Sequence, residues 1–167
     1  MILRLSQKMN RKIMAGTLAA APLDKNPFAD WSAHLFTADR TQYILVTNTK
    51  ALYSIVMYGK GTPDESEFIK RVLNGLGEFM EADGQEALYR RFVAPASRTI
   101  RFAKALDRSV TGSMNDLVYH AKYWLTDGEH SPFDVGFKLN EIPFSALKYI
   151  DARDMLRSLA HCTADNA

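Results

Sequence analysis

The clearest secondary-structure signal in this chain lies at residues 31–59, which read WSAHLFTADRTQYILVTNTKALYSIVMYG. Three segments of this stretch are rich in β-branched and aromatic residues, and turn-forming residues at 37–41 and 48–50 separate them. Short turns of this kind join neighbouring antiparallel strands. The stretch therefore predicts a three-stranded antiparallel meander, with strands at 33–36, 42–47 and 51–58.

The segment after the meander predicts a long helix at 63–83. Thr62 can cap it, a proline follows at the first helical position, and Glu65 can reach back to the cap. Gly84 is expected to end the helix in a left-handed conformation. The apolar residues that recur with the helical period are Phe68, Ile69, Val72, Leu73, Leu76, Phe79 and Met80.

The segments on either side complete the predicted fold. A strand at 2–5 leads into a helix that Ser6 can cap, and a short helix at 85–93 precedes a strand at 98–103. A further helix is expected to begin near Ser113. Its apolar stripe consists of Met114, Leu117, Val118, Ala121, Trp124 and Leu125.

Near the C-terminus, residues 133–139 alternate apolar and other residues with period two, which predicts another strand. A closing helix is expected at 151–159. The whole pattern predicts one α+β domain over residues 1–167, an antiparallel sheet of about five strands packed against two main helices. Those helices, 63–83 and 113–126, are expected on one face of the sheet.

Length and composition set the class of protein. A chain of 167 residues with 47% hydrophobic and 24% charged residues matches one ordinary globular domain, without global disorder or a membrane span. Arg4, Lys8, Arg11 and Lys12 precede the apolar residues 13–21 in a weak imitation of a secretion signal, but that apolar stretch is short and rich in Gly, Thr and Ala. The single Cys162 excludes an intramolecular disulfide. We expect a cytoplasmic protein without a membrane partner.

The strongest electrostatic feature lies between Arg90 and Arg108, where Asp107 is the single acid among several basic residues. This basic segment runs into a Ser/Thr/Gly-rich stretch expected to open a helix, and helix N-termini attract anions. The alternative for this stretch is ordinary capping, because Ser113 and Asp116 have capping-box spacing. We expect a binding or regulatory protein that recognises a phosphorylated ligand, with nucleic acid preferred over a free nucleotide. The expected ligand-binding residues are Arg101, Lys104, Arg108, Ser109, Thr111, Ser113 and Asn115.

Two other functions stay open. His120, close in sequence to the same cations, is a candidate catalytic residue for a metal-independent ribonuclease or toxin-like enzyme. Alternatively, the basic segment docks an acidic partner in a protein–protein interaction module. The four histidines and one cysteine lack metal-ligand spacing, so we expect no metal and no other cofactor. A homo-oligomer is a further possibility, for which the candidate apolar residues are Met57, Tyr58, Phe133 and Phe137.

Four segments of the chain resemble a known family. They are NPFADWSAHLFT at 26–37, RTQYILVTN at 40–48, LYSIV at 52–56 and RSVTGSMND at 108–116. The family consists of small bacterial proteins described only as a domain of unknown function, and the similarity extends over nearly the whole chain. The resemblance implies a single soluble domain, and it supplies no activity, cofactor or catalytic residue.

Overall fold

The structure is a computed structural model that describes the backbone of residues 1–164 and the side chains of residues 1–161. Cys162 therefore lies outside the described side chains. Buried apolar residues form a continuous cluster from Met1 to Leu159. The predicted α+β class is confirmed.

Strands and helices follow one another in mixed order along the chain. The strands are β1 (Ile2–Leu5), β2 (Asp30–Ala38), β3 (Thr41–Asn48), β4 (Ser54–Tyr58) and β5 (Arg101–Lys104). The helices are α1 (Gln7–Ile13), α2 (Glu65–Ala82), α3 (Glu86–Leu88), α4 (Ala94–Ala96), α5 (Arg108–Thr126), α6 (Pro132–Asn140) and α7 (Ala152–Ala164). A π-helical turn at Tyr89–Val93 joins α3 to α4, and short 3-10 turns lie at Pro27–Ala29 and Ser145–Leu147.

The strands form one sheet in the order β4, β3, β2, β1, β5. The meander predicted from residues 31–59 is confirmed, because β3 is antiparallel to both β2 and β4. However, β1 is parallel to both of its neighbours, β2 and β5. The sheet is therefore mixed, and the prediction of an antiparallel sheet is wrong.

The mixed topology follows from the lengths of the connections. Asp39 and Arg40 join β2 to β3, and both have the positive φ that a two-residue hairpin turn needs. The connection from β1 to β2 instead contains α1 and a long loop. It returns the chain to the end of the sheet where β1 began, as parallel neighbours require.

The long helix α2 occupies nearly the range predicted from its apolar residues, but Asp64 rather than Thr62 caps it. The Asp64 carboxylate accepts a hydrogen bond from the backbone N–H of Glu67 at 2.9 Å. Thr62, the predicted cap, is buried and bonded to Arg71 instead, so that prediction is wrong. Gly84 has a φ of 70°, in agreement with its predicted role at the helix end.

The helices α2 and α5 cover opposite faces of the sheet. Phe68 of α2 packs against Phe102 of β5, with the ring centroids 6.2 Å apart, whereas α5 shares a cavity with His34 of β2. The register of β1 with its neighbours places Phe102 and His34 on opposite faces. The prediction that both helices cover one face is therefore wrong, and the parallel strands are covered on both sides, as is usual for them.

The start of α5 also differs from the prediction. Asp107 caps the helix and accepts a hydrogen bond from the backbone N–H of Val110 at 2.9 Å. The helix therefore begins at Arg108 rather than near Ser113, and residues 109–113 lie inside it. Asp is as effective a cap as Ser, so the earlier of two capping signals prevails.

Residues 133–139 form helix α6 rather than the predicted strand. Ser131 and Asp134 form a capping box, and a proline occupies the first helical position. These start signals outweigh the apolar alternation. At the helix end, the Asn140 side-chain amide accepts a hydrogen bond from Ser54 N at 2.7 Å and donates one to Ser54 O at 2.9 Å, which fastens α6 to β4.

The apolar residues considered for self-association lie in two places. Tyr58 of β4 is 51% exposed and lies against Tyr43, while Met57 is half-buried. Phe133 and Phe137 are on α6, where both contact Phe79. Within residues 1–164, no helix is long and apolar enough to cross a lipid bilayer.

A buried ion pair joins the first two strands. Arg4 of β1 is 1% exposed and Asp30 of β2 is fully buried, and two guanidinium nitrogens donate to the two carboxylate oxygens at 2.7 and 2.8 Å. The guanidinium also donates to the carbonyl oxygens of Ala21 and Pro22. The Asp30 carboxylate accepts a further bond from the backbone N–H of Asp24. The pair thus holds the β1–β2 connection against the sheet.

The Arg4–Asp30 pair gives the first prediction. Asp30→Asn should lower the free energy of unfolding by about 3–5 kcal/mol, because it leaves a buried guanidinium without its counter-charge. The matched control is Glu86→Gln, which breaks the exposed Glu86–Arg90 pair and should cost less than about 1 kcal/mol. Urea unfolding measures both. Equal losses in the two variants would contradict the role given to the buried pair.

The position of Gly112 inside α5 gives the second prediction. A Cβ at Gly112 meets nothing within 4 Å, so Gly112→Ala should raise the free energy of unfolding by about 0.5–1 kcal/mol. The comparison is Gly136→Ala, whose Cβ would lie 2.6 Å from the buried ring of Phe79 and should destabilise by about 1–3 kcal/mol. Destabilisation by Gly112→Ala would instead support the turn expected from the sequence.

Candidate functional site

A concave, positively charged surface lies between α1 and α5. We call it the basic groove, a space of about 760 Å³. No Asp or Glu occurs among its lining residues, and within the described side chains none of its Lys or Arg residues forms an ion pair. The lining residues are Lys8, Arg11, Lys12, His34, Leu35, Phe36, Thr37, Gln42, Asn115, Val118 and Lys122.

The floor of the groove is an open strand edge. β1 ends at Leu5, and the backbone N–H of Ser6 makes the last bond to β2, at Ala33 O. β2 continues to Ala38, and no strand among the described residues pairs with it on that side past Ala33. Because alternate residues present their backbone groups to the same side, the N–H and C=O groups of Leu35 and Thr37 face the groove.

A second cavity adjoins the groove at the carboxyl ends of the parallel strands β1 and β5. We call it the apolar recess, a space of about 600 Å³ whose surface is mostly apolar. Its apolar lining consists of Leu5, Leu18, Ala33, Ala105, Val110 and Met114. Its polar lining includes Arg4, Ser6, Gln7, Asn10, Thr17, Ser32, His34, Lys104 and Thr111. Clefts at the carboxyl ends of parallel strands commonly bind ligands.

His34 is the residue that the two cavities share. Its side chain is half-buried, and burial together with the positive charges of Lys8 and Lys122 lowers the pKa of its imidazole. His34 is therefore neutral at pH 7 and takes up a proton only at lower pH than an exposed histidine. A phosphate bound in the groove would stabilise the protonated form.

The ligand-binding residues predicted from the sequence lie in several different places in the structure. Lys104 and Thr111 line the apolar recess, and Asn115 lines the basic groove. The exposed Arg108 is on the same face of α5, one turn before Thr111. Arg101 lies at the other end of β5, three residues from Lys104, or about 10 Å along the strand.

The remaining predicted site residues line neither cavity. Ser109 and Ser113 lie on other sides of α5 from the face that contains Asn115. The His120 ring is packed among aromatic rings, with centroid distances of 6.1 Å to Trp124 and 6.5 Å to Phe144. Within the part of the chain that the structure describes, no group of His, Cys, Asp or Glu side chains is arranged to hold a metal ion.

The site residues that sequence reasoning missed come mostly from α1. Lys8, Arg11 and Lys12 have the i, i+3, i+4 spacing of one helix face, which is a readable signal for a basic surface. In the sequence they were considered only as the charges that precede a rejected secretion signal, and as part of the predicted first helix. His34 and Lys122 carry no comparable local signal, because the fold alone brings them together.

Comparison with protein-family models gives a match over most of the chain. The family model described as "Domain of unknown function (DUF6933)" matches residues 2–155, a range that contains every residue of both cavities. The resemblance to a family of unknown function is thereby confirmed. No curated protein matches the chain.

The environment of His34 gives the third prediction. Its pKa, measured by NMR titration of the imidazole, should lie below the ordinary value of about 6.5. Lys8→Gln and Lys122→Gln should each raise this pKa, because each removes a positive charge that disfavours the imidazolium. Lys70→Gln on α2, the control, should leave it unchanged. A pKa at or above the ordinary value, insensitive to both substitutions, would refute the proposed electrostatics.

Proposed function

The chain belongs to the DUF6933 family, and we propose that it is a binding or regulatory protein that recognises a phosphorylated ligand in the basic groove, with nucleic acid preferred over a free nucleotide. The observation that carries the proposal is the convergence of four cations on one concave surface, with no counter-ion among the described side chains. They are Lys8, Arg11, Lys12 and Lys122.

The electrostatic argument depends on where these cations lie. Like charges gathered in a concave space repel one another and concentrate the field there, which attracts anions. The chain as a whole has a formal charge of only +2, so this concentration is local. The four cations are therefore placed to bind an anion rather than to keep the protein soluble.

The extent of the positive surface favours a polyanion. Lys104 lies in the adjoining recess, and the exposed Arg108 follows it at the start of α5. Cations are thus present in the groove, in the recess and at the start of α5. A strand with several phosphates would contact more of them than a single phosphate could, as nucleic-acid-binding surfaces do.

A ribonuclease that acts in the basic groove would have to use His34 rather than the predicted His120. His120 lies among aromatic rings outside both cavities, whereas His34 is a neutral imidazole beside lysines and could accept a proton from a ribose hydroxyl. Among the groove-lining residues, no second side chain normally titrates near neutral pH to protonate the leaving group. Binding is therefore the function that the groove supports better.

The proposal also includes the cellular setting. We place the protein in the bacterial cytoplasm, where nucleic acid is abundant. A chain with a single cysteine has no intramolecular disulfide to maintain, which suits a reducing compartment.

The salt dependence of binding gives the fourth prediction. Fluorescence anisotropy should show that the protein binds a single-stranded oligonucleotide with an affinity that falls as salt rises. In Lys8→Gln/Lys122→Gln, the slope of log affinity against log salt should decrease by about 1.4, since each lost phosphate contact contributes about 0.7.

Two controls distinguish binding in the basic groove from general attraction to positively charged side chains. Lys50→Gln/Lys148→Gln removes two exposed lysines outside both cavities and should leave the slope nearly unchanged. Lys104→Gln should weaken binding more than Arg101→Gln, because only Lys104 lines the recess. Absence of binding at low salt, or equal losses in the two double variants, would count against the proposal.

A further inference from the structure

The apolar recess is too apolar to be explained by phosphate binding alone. Its volume of about 600 Å³ lies within the range of small-ligand sites, and Leu5, Val110 and Met114 contribute to a mostly apolar surface. Phosphate groups are strongly hydrated and gain nothing from such a surface. The recess therefore fits another part of the same ligand, a flat group with apolar faces.

The two cavities are joined by shared walls. His34 lines both, α1 contributes Asn10 to the recess and Arg11 to the groove, and α5 contributes Thr111 to the recess and Asn115 to the groove. A ligand with a phosphate in the groove would thus place the adjacent chemical group at the mouth of the recess. In a nucleic acid, the adjacent group is the sugar and its base.

The recess wall also holds an unsatisfied polar atom. The side-chain N–H of Asn10 donates to Gly16 O at 2.8 Å, but its amide oxygen is buried without a hydrogen-bond partner among the described residues. Buried acceptors of this kind are rare and call for an explanation. Because Asn10 lines the recess, an amino group on the edge of a base is a candidate partner for this oxygen.

We propose that the apolar recess takes the base of an unpaired nucleotide whose phosphate lies in the basic groove, so that the protein selects single strands over duplexes. This inference rests on the proposed function. A base can enter the recess only after it leaves its stack and its partner, which a duplex resists and a single strand permits. The apolar faces of the base would then meet the aliphatic lining of the recess.

The test compares two oligonucleotides of equal length and charge, one with bases throughout and one with abasic sites. The wild-type protein should bind the base-bearing strand about tenfold more tightly, in line with the usual contribution of one buried base. Ala105→Trp fills the recess from an exposed position and should remove this preference, so that the two strands bind with equal affinity. The matched control is Ala87→Trp, at an exposed position on α3 that lines neither cavity.

A second measurement needs no variant of the protein. A strand with one 2-aminopurine should change its fluorescence on binding, because the environment of the inserted base changes, and a duplex with the same label should bind more weakly. Equal wild-type affinity for base-bearing and abasic strands, with both weakened in Lys8→Gln/Lys122→Gln, would overturn the base site and leave the groove function standing. Failure of both strands to bind at low salt would overturn both.

Discussion

The buried pair of Arg4 and Asp30 is the interaction on which the arrangement of this protein depends. A guanidinium on the strand β1 can be buried only if its donors are satisfied, and here a carboxylate and the carbonyls of Ala21 and Pro22 accept its bonds. The same bonds fix the loop that crosses from β1 to β2. Because Arg4 also lines the apolar recess, the pair sets both the parallel register of β1 and one wall of the site.

Local signals in the sequence predicted the elements better than their arrangement. The meander and α2 were predicted because hairpin turns and a helical apolar period leave one consistent structure. The prediction of a strand at 133–139 is wrong because it relied on the period-two alternation of apolar residues. The capping box of Ser131 and Asp134 favours a helix more strongly. The parallel pairing of β1 depends on a crossover and on contacts with Asp30, distant in sequence, so no local pattern contained it.

The site was predictable only in part, for a related reason. The site residues predicted from the sequence are neighbours between positions 98 and 116, but the course of β5 separates Arg101 from Lys104 along the strand. The basic face of α1 had a readable spacing, but nothing in the sequence joined it to Lys122 on α5. Lys122 comes close to the basic face of α1 because β2 is longer than β1. The two helices flank the part of β2 that extends beyond the end of β1.

Three features that oppose stability meet around His34. Within the described residues, four cations converge without counter-ions, the side of β2 that pairs with β1 has no strand beside it past Ala33, and an apolar cavity lies next to both. Each alone is unfavourable, through charge repulsion, unpaired backbone groups and lost packing respectively. Proteins depart from local rules mainly at functional sites, where the departure serves a ligand. Under the proposed function, a single ligand with a phosphate, a hydrogen-bonding edge and an apolar ring would relieve the charge repulsion and fill the cavity together, whereas a simple anion would relieve the charge repulsion alone.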